Sequence, residues 1–295
     1  MKYLILIAVI NVICLCIFIY YLLEYVLGYS KAVETFTADG IHIPKTIWTY
    51  WHDEKLPDII QKCIATWRKY NPDYEIIVLN NTNLSKYLPE VQFDSYKFAD
   101  SHQRKSDMIR CQVLAKYGGI WSDSSIVMRK SLDELFTHNA EFIGYYIEAS
   151  TTNPDYPIIE NWFFACVPGC KFVNLWKDTF LLINEFETVD DYVEYIKKTT
   201  DIQNINIPLY LTQHIAAQYV LQNLMTVEER KSKFYLQKAE DGPFKYLADH
   251  GWNIENAYQN MCSTNEDTTL FHKLRSCERE VVEKDLDKYQ CIFAL

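Results

Sequence analysis

The segment SHQRKSDMIRCQVLAKYGGIWSDSSIV constrains the possible fold more than any other stretch of the chain. Its first part has the apolar spacing of a helix, with Asp100 or Ser101 as a cap and Gly118-Gly119 as the stop. The residues IWSDSSIV that follow have the composition of a strand. A glycine pair, a short strand and an acid together can deliver a carboxylate to the phosphates of a nucleotide. That acid is Asp123, and Ser125 stands where many such sites carry a second acid.

Strand and helix patterns alternate before this segment. IHIPKTIWTYW and YEIIVLN have a β-rich composition, and LPDIIQKCIATWRKYNP between them has a helical apolar period. The order strand, helix, strand, helix, strand predicts an α/β domain with a mostly parallel central sheet. Ligands of such sheets bind beyond the carboxyl ends of the strands, which is where Asp123 falls. Later in the chain we predict two strands and two helices, at EFIGYYIE, NWFFACVP, KFVNLWKDTFLLINEF and LTQHIAAQYVLQNL.

The N-terminal residues 3–23 contain no charge and one polar amide, Asn11. A helix needs about 20 apolar residues to cross a bilayer, so this stretch predicts a membrane span. A cleaved signal peptide is the alternative, but its apolar region is usually shorter and ends at small residues. Lys2 before the span and Lys31 after it give a slight bias towards a cytosolic N-terminus. The expected division of the chain is a signal anchor, a short stem and one α/β domain, at residues 1–28, 29–40 and 41–295.

Charge and cysteine content exclude some classes of function. The formal net charge is −10, and nucleic-acid binding needs a basic face, so we expect no nucleic-acid partner. The nine cysteines include no CxxC pair, which argues against a zinc cluster or a thioredoxin-like site. Seven of them lie outside the apolar N-terminal stretch, and an odd number leaves at least one free thiol.

Four motifs occur in an order that resembles a known family. They are IPKTIWTYW, TWRKYNPDYEIIVLN, KSDMIRCQVLAKYGGIWSDSSI and LFHKLR. Together they resemble the capsular polysaccharide synthesis proteins of the glycosyltransferase 32-like group, with relatives among yeast Golgi mannosyltransferases and large clostridial toxins. The resemblance is good over residues 43–127 and patchy beyond. It implies a GT-A fold and a retaining transfer of a hexose from a nucleotide-diphosphate sugar to a glycan, glycolipid or glycoprotein.

The resemblance and the N-terminal span together imply a single-pass type II membrane protein. The expected location is the Golgi membrane with the catalytic domain in the lumen, and a bacterial inner membrane is the alternative. In a eukaryotic host we then expect glycosylation at one of two sequons, which begin at Asn80 and Asn83.

The resemblance also assigns residues to donor binding. Trp51 is expected to stack on the donor base, whereas Trp48 is equally compatible with the core. Asp107 and Arg110 are three residues apart on a predicted helix and therefore share a face. In the resembling proteins this aspartate binds sugar or ribose hydroxyls and this arginine supports the sugar and diphosphate. An ordinary surface ion pair is the alternative interpretation.

Asp123 corresponds to the first acid of the family's Asp-x-Asp motif, and Ser125 takes the place of the second. The resemblance implies Mn²⁺ or Mg²⁺ as cofactor, with Asp123, Ser125 and the imidazole of His272 as ligands. A neutral hydroxyl weakens such a site without abolishing it, because these ions prefer hard oxygen ligands but keep several waters. Lys273 is expected to neutralise the departing phosphate, which makes Asp123, Arg110 and Lys273 the expected catalytic residues.

Some assignments stay open at this level. Asn161, Trp162 and His214 are candidates for the acceptor side, with core packing as the alternative. Ser125 also permits a non-catalytic member of the family that binds nucleotide or glycan. A third possibility is transfer of a whole sugar phosphate, which releases a nucleoside monophosphate rather than a diphosphate.

Overall fold

A computed structural model describes residues 41–263 and 269–293. The description below concerns the unit that begins at Ile43. The predicted signal anchor and stem lie outside the described residues. Among the described residues, no helix combines the length and the apolar character that a bilayer span requires.

The predicted strands and helices of the described residues are present, except that one predicted strand, IWSDSSIV, is divided in two. The strands are β1 (Thr46–Tyr50), β2 (Glu75–Leu79), β3 (Gly119–Ser122), β4 (Ile126–Met128), β5 (Phe142–Tyr146), β6 (Ile159–Cys166), β7 (Phe234–Lys238) and β8 (Phe271–Lys273). The helices are α1 (Asp58–Tyr70), α2 (Leu84–Tyr87), α3 (His102–Tyr117), α4 (Lys171–Leu181), α5 (Val189–Lys197), α6 (Thr212–Tyr219), α7 (Val227–Lys233), α8 (Lys245–Asp249), α9 (Ile254–Ser263) and α10 (Ser276–Lys284).

A six-stranded sheet in the order β2-β1-β3-β6-β5-β7 forms the centre of the domain. β6 is antiparallel to both of its neighbours, β3 and β5. The other paired strands run parallel, β1 with β2 and β3, and β5 with β7. The sheet is therefore mostly parallel, which confirms the predicted α/β class. β3 is buried along its whole length, as expected for a central strand of such a sheet.

The glycine pair connects α3 to β3 as predicted. The side chain of Ser101 caps the start of α3, and the helix ends at Tyr117. Gly118 and Gly119 have φ angles of +62° and +90°, a region that favours glycine. A Cβ on Gly119 would lie 2.7 Å from the carbonyl oxygen of Thr46 in β1. The pair therefore lets the chain reverse from the helix directly into the sheet, close against β1.

The segment IWSDSSIV does not form the single strand predicted for it. β3 ends at Ser122, and the N–H of Ile126 donates to the carbonyl of Asp123 at 3.2 Å, which makes a turn. After the turn, β4 pairs antiparallel with β8 in a separate two-stranded sheet. Asp123 consequently lies just past the carboxyl end of a central strand, whereas Ser125 immediately precedes the second sheet.

A disulfide joins Cys262 in α9 to Cys291 near the C-terminus. Five other cysteines in the described part of the chain are free thiols: Cys63, Cys111, Cys166, Cys170 and Cys277. The first four of these are buried, so they pack as small apolar residues.

Candidate active site

A cavity of about 800 Å³ opens beyond the carboxyl ends of β1 and β3. Polar residues from α3, the β3–β4 turn, β6, α6 and β8 line it. Nine of the residues singled out from the sequence are among the lining residues: Trp51, Asp107, Arg110, Asp123, Ser125, Asn161, Trp162, His214 and Lys273. The fold thus brings most of the predicted site into one cavity, at the edge of the sheet where ligands of α/β domains bind.

The carboxylate of Asp123 is held between two cations. Its Oδ1 accepts hydrogen bonds from Arg110 Nη2 and from Trp121 Nε1, each at 3.1 Å. Its Oδ2 accepts a hydrogen bond from Lys273 Nζ at 2.9 Å. Burial alone would raise the pKa of Asp123, but the charges of Lys273 and Arg110 outweigh this and hold the pKa below its ordinary value. Asp123 is therefore ionised at neutral pH.

The hydroxyl of Ser125 is engaged within the protein. It donates to the carbonyl oxygen of Leu274 at 2.8 Å and accepts from Lys273 Nζ at 2.9 Å. The ammonium of Lys273 thus lies between the Asp123 carboxylate and the Ser125 hydroxyl. The pairing of β4 with β8, which places Ile126 opposite Lys273, fixes this arrangement.

Asp107 and Arg110 form a buried pair rather than the surface ion pair left open by the sequence. Asp107 Oδ1 lies 2.9 Å from Arg110 Nη1, and the two side chains are 14% and 5% exposed. Asn161 Nδ2 donates to the same carboxylate oxygen at 3.2 Å. Burial raises the pKa of Asp107 to about 6, although the charge of Arg110 acts in the opposite direction.

Gln213 organises these side chains, and the sequence analysis did not single it out. It is fully buried in α6. Its Oε1 accepts from Asn161 Nδ2 at 2.7 Å and from Arg110 Nη1 at 3.2 Å. Its Nε2 donates to the backbone carbonyl of Asp107 at 3.2 Å. The signal in the sequence was weak, a glutamine next to His214 in a helix of mixed character.

The two tryptophans near β1 have different positions. Trp48 is 4% exposed, and its indole N–H donates to the carbonyl of Gly118 at 3.1 Å, so it belongs to the core. Trp51 is half-buried and lines the cavity. The ring of His52 stacks beside it with centroids 5.4 Å apart, and the guanidinium of Arg279 lies 6.0 Å from its centroid.

Three buried polar atoms in residues that line the cavity lack a hydrogen-bond partner among the described residues. They are Arg110 Nε, Trp162 Nε1 and His214 Nδ1. The other ring nitrogen of His214 lies 3.3 Å from a carboxylate oxygen of Glu160, and the Trp162 ring stacks on Tyr145 at 5.5 Å. Buried polar groups are almost always hydrogen-bonded. Each of these three atoms is buried, so contact with a ligand would require movement of the side chains around it.

His272 does not join the cavity-lining residues, although it was a predicted metal ligand. Adjacent residues of a strand point to opposite faces, so His272 faces away when Lys273 faces the cavity. Its side chain is buried, Nε2 lies 3.1 Å from Thr269 Oγ1, and Tyr246 contacts the ring edge-on at 5.0 Å.

The arrangement of ligands does not fit a divalent metal ion. The described residues contain no group of three His, Cys, Asp or Glu side chains suited to hold one. Mn²⁺ and Mg²⁺ prefer anionic and neutral oxygen ligands. Here the ammonium of Lys273 occupies the space between the carboxylate of Asp123 and the hydroxyl of Ser125. The predicted metal therefore stays a prediction, and the geometry around Asp123 argues against it.

The sequence profile of a family described as capsular polysaccharide synthesis protein matches residues 20–275. The chain belongs to this family. The match confirms the resemblance carried by the four motifs. It also includes every residue of the cluster around Asp123, since Lys273 lies just inside its end.

The relatives similar to this chain include two fungal proteins whose names state a transferase activity. O-glycosyltransferase braB of Annulohypoxylon truncatum is 25% identical over 165 residues, which are 49% of this chain and 38% of that protein. Inositol phosphoceramide mannosyltransferase 3 of Schizosaccharomyces pombe is 25% identical over 113 residues, 36% of this chain and 31% of that protein. The matched region thus covers less than two fifths of either relative.

Among solved structures, a galactosyltransferase in complex with donor and acceptor sugar analogues is 10% identical to this chain, with a TM-score of 0.43. The superposition covers 85% of this chain and 97% of that chain. No conclusion about the site rests on a likeness of this size.

Proposed function

We propose that this protein is a GT-A-type glycosyltransferase. It transfers a hexose from a nucleotide-diphosphate sugar to a glycan, glycolipid or glycoprotein acceptor. One observation carries the proposal: the carboxylate of Asp123, bound by Arg110 and Lys273, lies in the same cavity as the buried carboxylate of Asp107 and the ring of Trp51. Relatives named as glycosyltransferases support the same activity.

The cavity contains groups suited to each part of a nucleotide-sugar. The ring of Trp51 offers a stacking surface for the base, and the ionised form of Asp107 accepts hydrogen bonds from sugar or ribose hydroxyls. Arg110 and Lys273 are fixed cations at the place where the diphosphate develops charge. Preorganised charges of this kind stabilise a leaving group without having to reorganise during the reaction.

The chemistry we propose needs no separate catalytic base. The bond between the anomeric carbon and the diphosphate breaks, and its electron pair stays on the phosphate oxygen. A hydroxyl of the acceptor forms the new bond on the same face of the sugar and passes its proton to that phosphate oxygen. This gives retention of configuration and releases a nucleoside diphosphate. Arg110 and Lys273 act by lowering the cost of the negative charge on the leaving group.

The acceptor side of the cavity is proposed to lie at Trp162 and His214. Trp162 Nε1 and His214 Nδ1 have no hydrogen-bond partner among the described residues, so a ligand hydroxyl that reached them would not have to replace an existing hydrogen bond. The indole ring of Trp162 adds an apolar surface next to its polar atom. A sugar offers both hydroxyls and an apolar ring face, so it suits this pair.

We further propose a type II membrane protein with a lumenal catalytic domain. The apolar residues 3–23 support the anchor. The disulfide between Cys262 and Cys291 supports an oxidising compartment, since disulfides are rare in the cytosol. The amide nitrogen of Asn83 donates to the carbonyl of Val78 at 2.9 Å, so Asn80 is the better candidate for glycosylation. Expression in a eukaryotic host should give an increase in mass that a glycosidase removes and that Asn80→Gln lacks. Digestion of the catalytic domain by protease added to sealed microsomes would contradict this topology.

The activity is tested by incubating the full-length, detergent-solubilised protein with a panel of nucleotide-sugars. Release of a nucleoside diphosphate supports the proposal. Release of a nucleoside monophosphate instead identifies a sugar-phosphate transferase. Binding of nucleotide without release of either product identifies the non-catalytic alternative that Ser125 leaves open.

A further inference from the structure

We infer that Lys273 takes the place of the divalent metal at this site, so that the protein binds nucleoside diphosphates without Mn²⁺ or Mg²⁺. The ammonium of Lys273 and the guanidinium of Arg110 then hold the diphosphate directly. The inference rests on the proposed function, because it names the groups that bind the diphosphate of the proposed donor.

The ammonium of Lys273 is held in a fixed position. It lies 2.9 Å from Asp123 Oδ2 and 2.9 Å from Ser125 Oγ, and the side chain is 9% exposed. The backbone next to it is tied to the same serine, because Leu274 N–H donates to the carbonyl of Ser125 at 3.0 Å and Ser125 Oγ donates to the carbonyl of Leu274. The ammonium is therefore held in place before any ligand binds.

The charges around Lys273 balance without a metal. A site with two carboxylates and a divalent cation sums to zero. Here the second carboxylate is the neutral Ser125, and the cation carries one charge, so Asp123 and Lys273 also sum to zero. Arg110 on the other oxygen of Asp123 is balanced in turn by Asp107, so these four groups sum to zero when both acids are ionised. A divalent ion would have to displace Lys273 and approach Arg110, and like charges at that distance repel strongly in a partly buried site.

A further cation is available at the cavity wall. Arg279 in α10 lines the cavity and lies over the ring of Trp51, and it has no ion pair among the described residues. Arg275, four residues earlier, is already occupied by three side-chain hydrogen bonds to the buried Glu278. Arg279 can therefore contribute charge towards a phosphate next to the base that stacks on Trp51.

The alternative is that Lys273 only stabilises the fold through its ion pair with Asp123. Nucleotide affinity separates the two roles, because a purely structural lysine changes the melting temperature but does not set the metal requirement. The test uses full-length protein in detergent and calorimetric titration with uridine and guanosine diphosphate, first in excess EDTA and then with millimolar MnCl₂.

We expect at least one of the two nucleotides to bind in EDTA with an affinity that Mn²⁺ changes by less than about threefold. Lys273→Gln should weaken that binding about 10- to 100-fold in EDTA, the size of a lost charge-assisted hydrogen bond. Lys273→Arg should retain most of it. Lys197→Gln, which removes an exposed lysine paired with Glu194 on α5, is the matched control and should bind as the unmodified protein does.

A second variant tests the same idea without depending on the fold of Lys273→Gln. In the double variant S125D/K273A, a second carboxylate replaces the hydroxyl and the competing cation is gone. Electron paramagnetic resonance should show Mn²⁺ bound to the double variant and not to the unmodified protein. If the unmodified protein binds nucleotide only with Mn²⁺, or binds Mn²⁺ itself, the inference is wrong while the proposed function stands. If neither diphosphate binds under either condition and the donor panel also releases no nucleotide, both are wrong.

Discussion

The two sides of the cavity are built in different ways. Its acidic side, Asp107 and Asp123, comes from α3 and the end of β3, two elements joined directly by a glycine pair. Its cationic side, Lys273 and Arg279, comes from β8 and α10, and Lys273 is placed beside Asp123 by the pairing of β8 with β4. Local sequence therefore fixes both acids and Arg110, which pairs with each of them, whereas a distant strand supplies the second cation on Asp123. Under the proposed role of Lys273, we expect substitutions in β8 to change the metal requirement while the acidic side stays the same.

The largest loss of activity is expected when the acidic side loses the carboxylate of Asp123. Asp123→Asn leaves the shape unchanged but removes the carboxylate that orients both Arg110 and Lys273. We expect donor hydrolysis to fall about 100- to 1,000-fold, as when one preorganised electrostatic group is lost. The variant should also be less stable, because Lys273 loses its carboxylate partner and Arg110 keeps only Asp107. Initial rates and melting temperatures measure the two effects separately.

The matched control for this substitution is Asp155→Asn. Asp155 forms an exposed ion pair with Lys231, so its loss should leave both the rate and the melting temperature nearly unchanged. Full activity of Asp123→Asn would show that the cationic side works without the acid, and the proposed role of Asp123 would be wrong.

A smaller effect is expected when the acidic side loses Asp107. A hydrogen bond from a sugar hydroxyl to this carboxylate is charge-assisted and contributes about 1.5–3 kcal/mol. A loss of this free energy in the transition state lowers a rate about 10- to 100-fold, so Asp107→Asn should lower donor hydrolysis by that factor. Steady-state rates with the best donor of the panel measure the change. Equal rates for the variant and the unmodified protein would favour a purely structural pair with Arg110.

The pH dependence gives a second test of Asp107, because lowering the pH should decrease activity but increase stability. Burial raises the pKa of Asp107 from 3.8 to about 6, so the carboxylate accepts hydroxyls only above that pH. Activity should fall as the pH is lowered through about 6. A raised carboxyl pKa means that the folded state binds the proton more tightly, so its contribution to stability is lost as the pH rises from about 4 to 6. Asp107→Asn should flatten both profiles between pH 4 and 7, in rate measurements and in thermal unfolding. An unchanged acid limb in the variant would assign the titration to another group.

The same contrast between the two sides explains what the sequence could predict. α3, its glycine stop and the strand that precedes Asp123 are encoded by neighbouring residues, so the pattern predicted the helix, the start of the strand and the position of the acid, but not the turn after Ser122. β8 has three residues, which is too short for its alternation to be recognised. Which of His272 and Lys273 faces the cavity depends on its register with β4, and a shift of one residue would exchange them.

Gln213 was missed for a related reason. Its hydrogen bonds reach Arg110, Asn161 and the backbone of Asp107, which belong to two other elements. A buried glutamine is stable only when such partners are present. These partners are distant in sequence from Gln213, so the sequence of its own helix does not predict its role, and only the folded protein shows it.

Trp51 lies beside the cationic side of the cavity, because the guanidinium of Arg279 is next to its ring. We expect its substitution to have an intermediate effect on nucleotide binding. Stacking of a base on an aromatic side chain contributes about 1–3 kcal/mol, so Trp51→Leu should weaken nucleoside diphosphate binding about tenfold. Trp51→Phe keeps an aromatic surface and should recover most of the loss. Calorimetric titration measures both variants. Equal affinities for leucine and phenylalanine at this position would place the base elsewhere in the cavity.

The smallest effect should come from Ser125, at the point where the two sides meet. Ser125→Ala removes one hydrogen bond to the ammonium of Lys273, but Asp123 still holds that ammonium at 2.9 Å. A neutral hydrogen bond contributes about 0.5–1.5 kcal/mol, so affinity for the diphosphate should fall only about two- to tenfold.

Ser125→Asp changes the same position in the opposite sense, because it adds an acid beside the cation. Lys273 then faces two carboxylates, and its charge is less available to phosphate. In EDTA we therefore expect weaker nucleotide binding than in Ser125→Ala, and with Mn²⁺ we expect recovery, since two carboxylates compete better with Lys273 for a hard divalent ion. A metal titration of nucleotide affinity for the two variants decides the outcome. If Ser125→Asp bound nucleotide in EDTA as tightly as the unmodified protein, the ammonium of Lys273 would not be the group that holds the diphosphate.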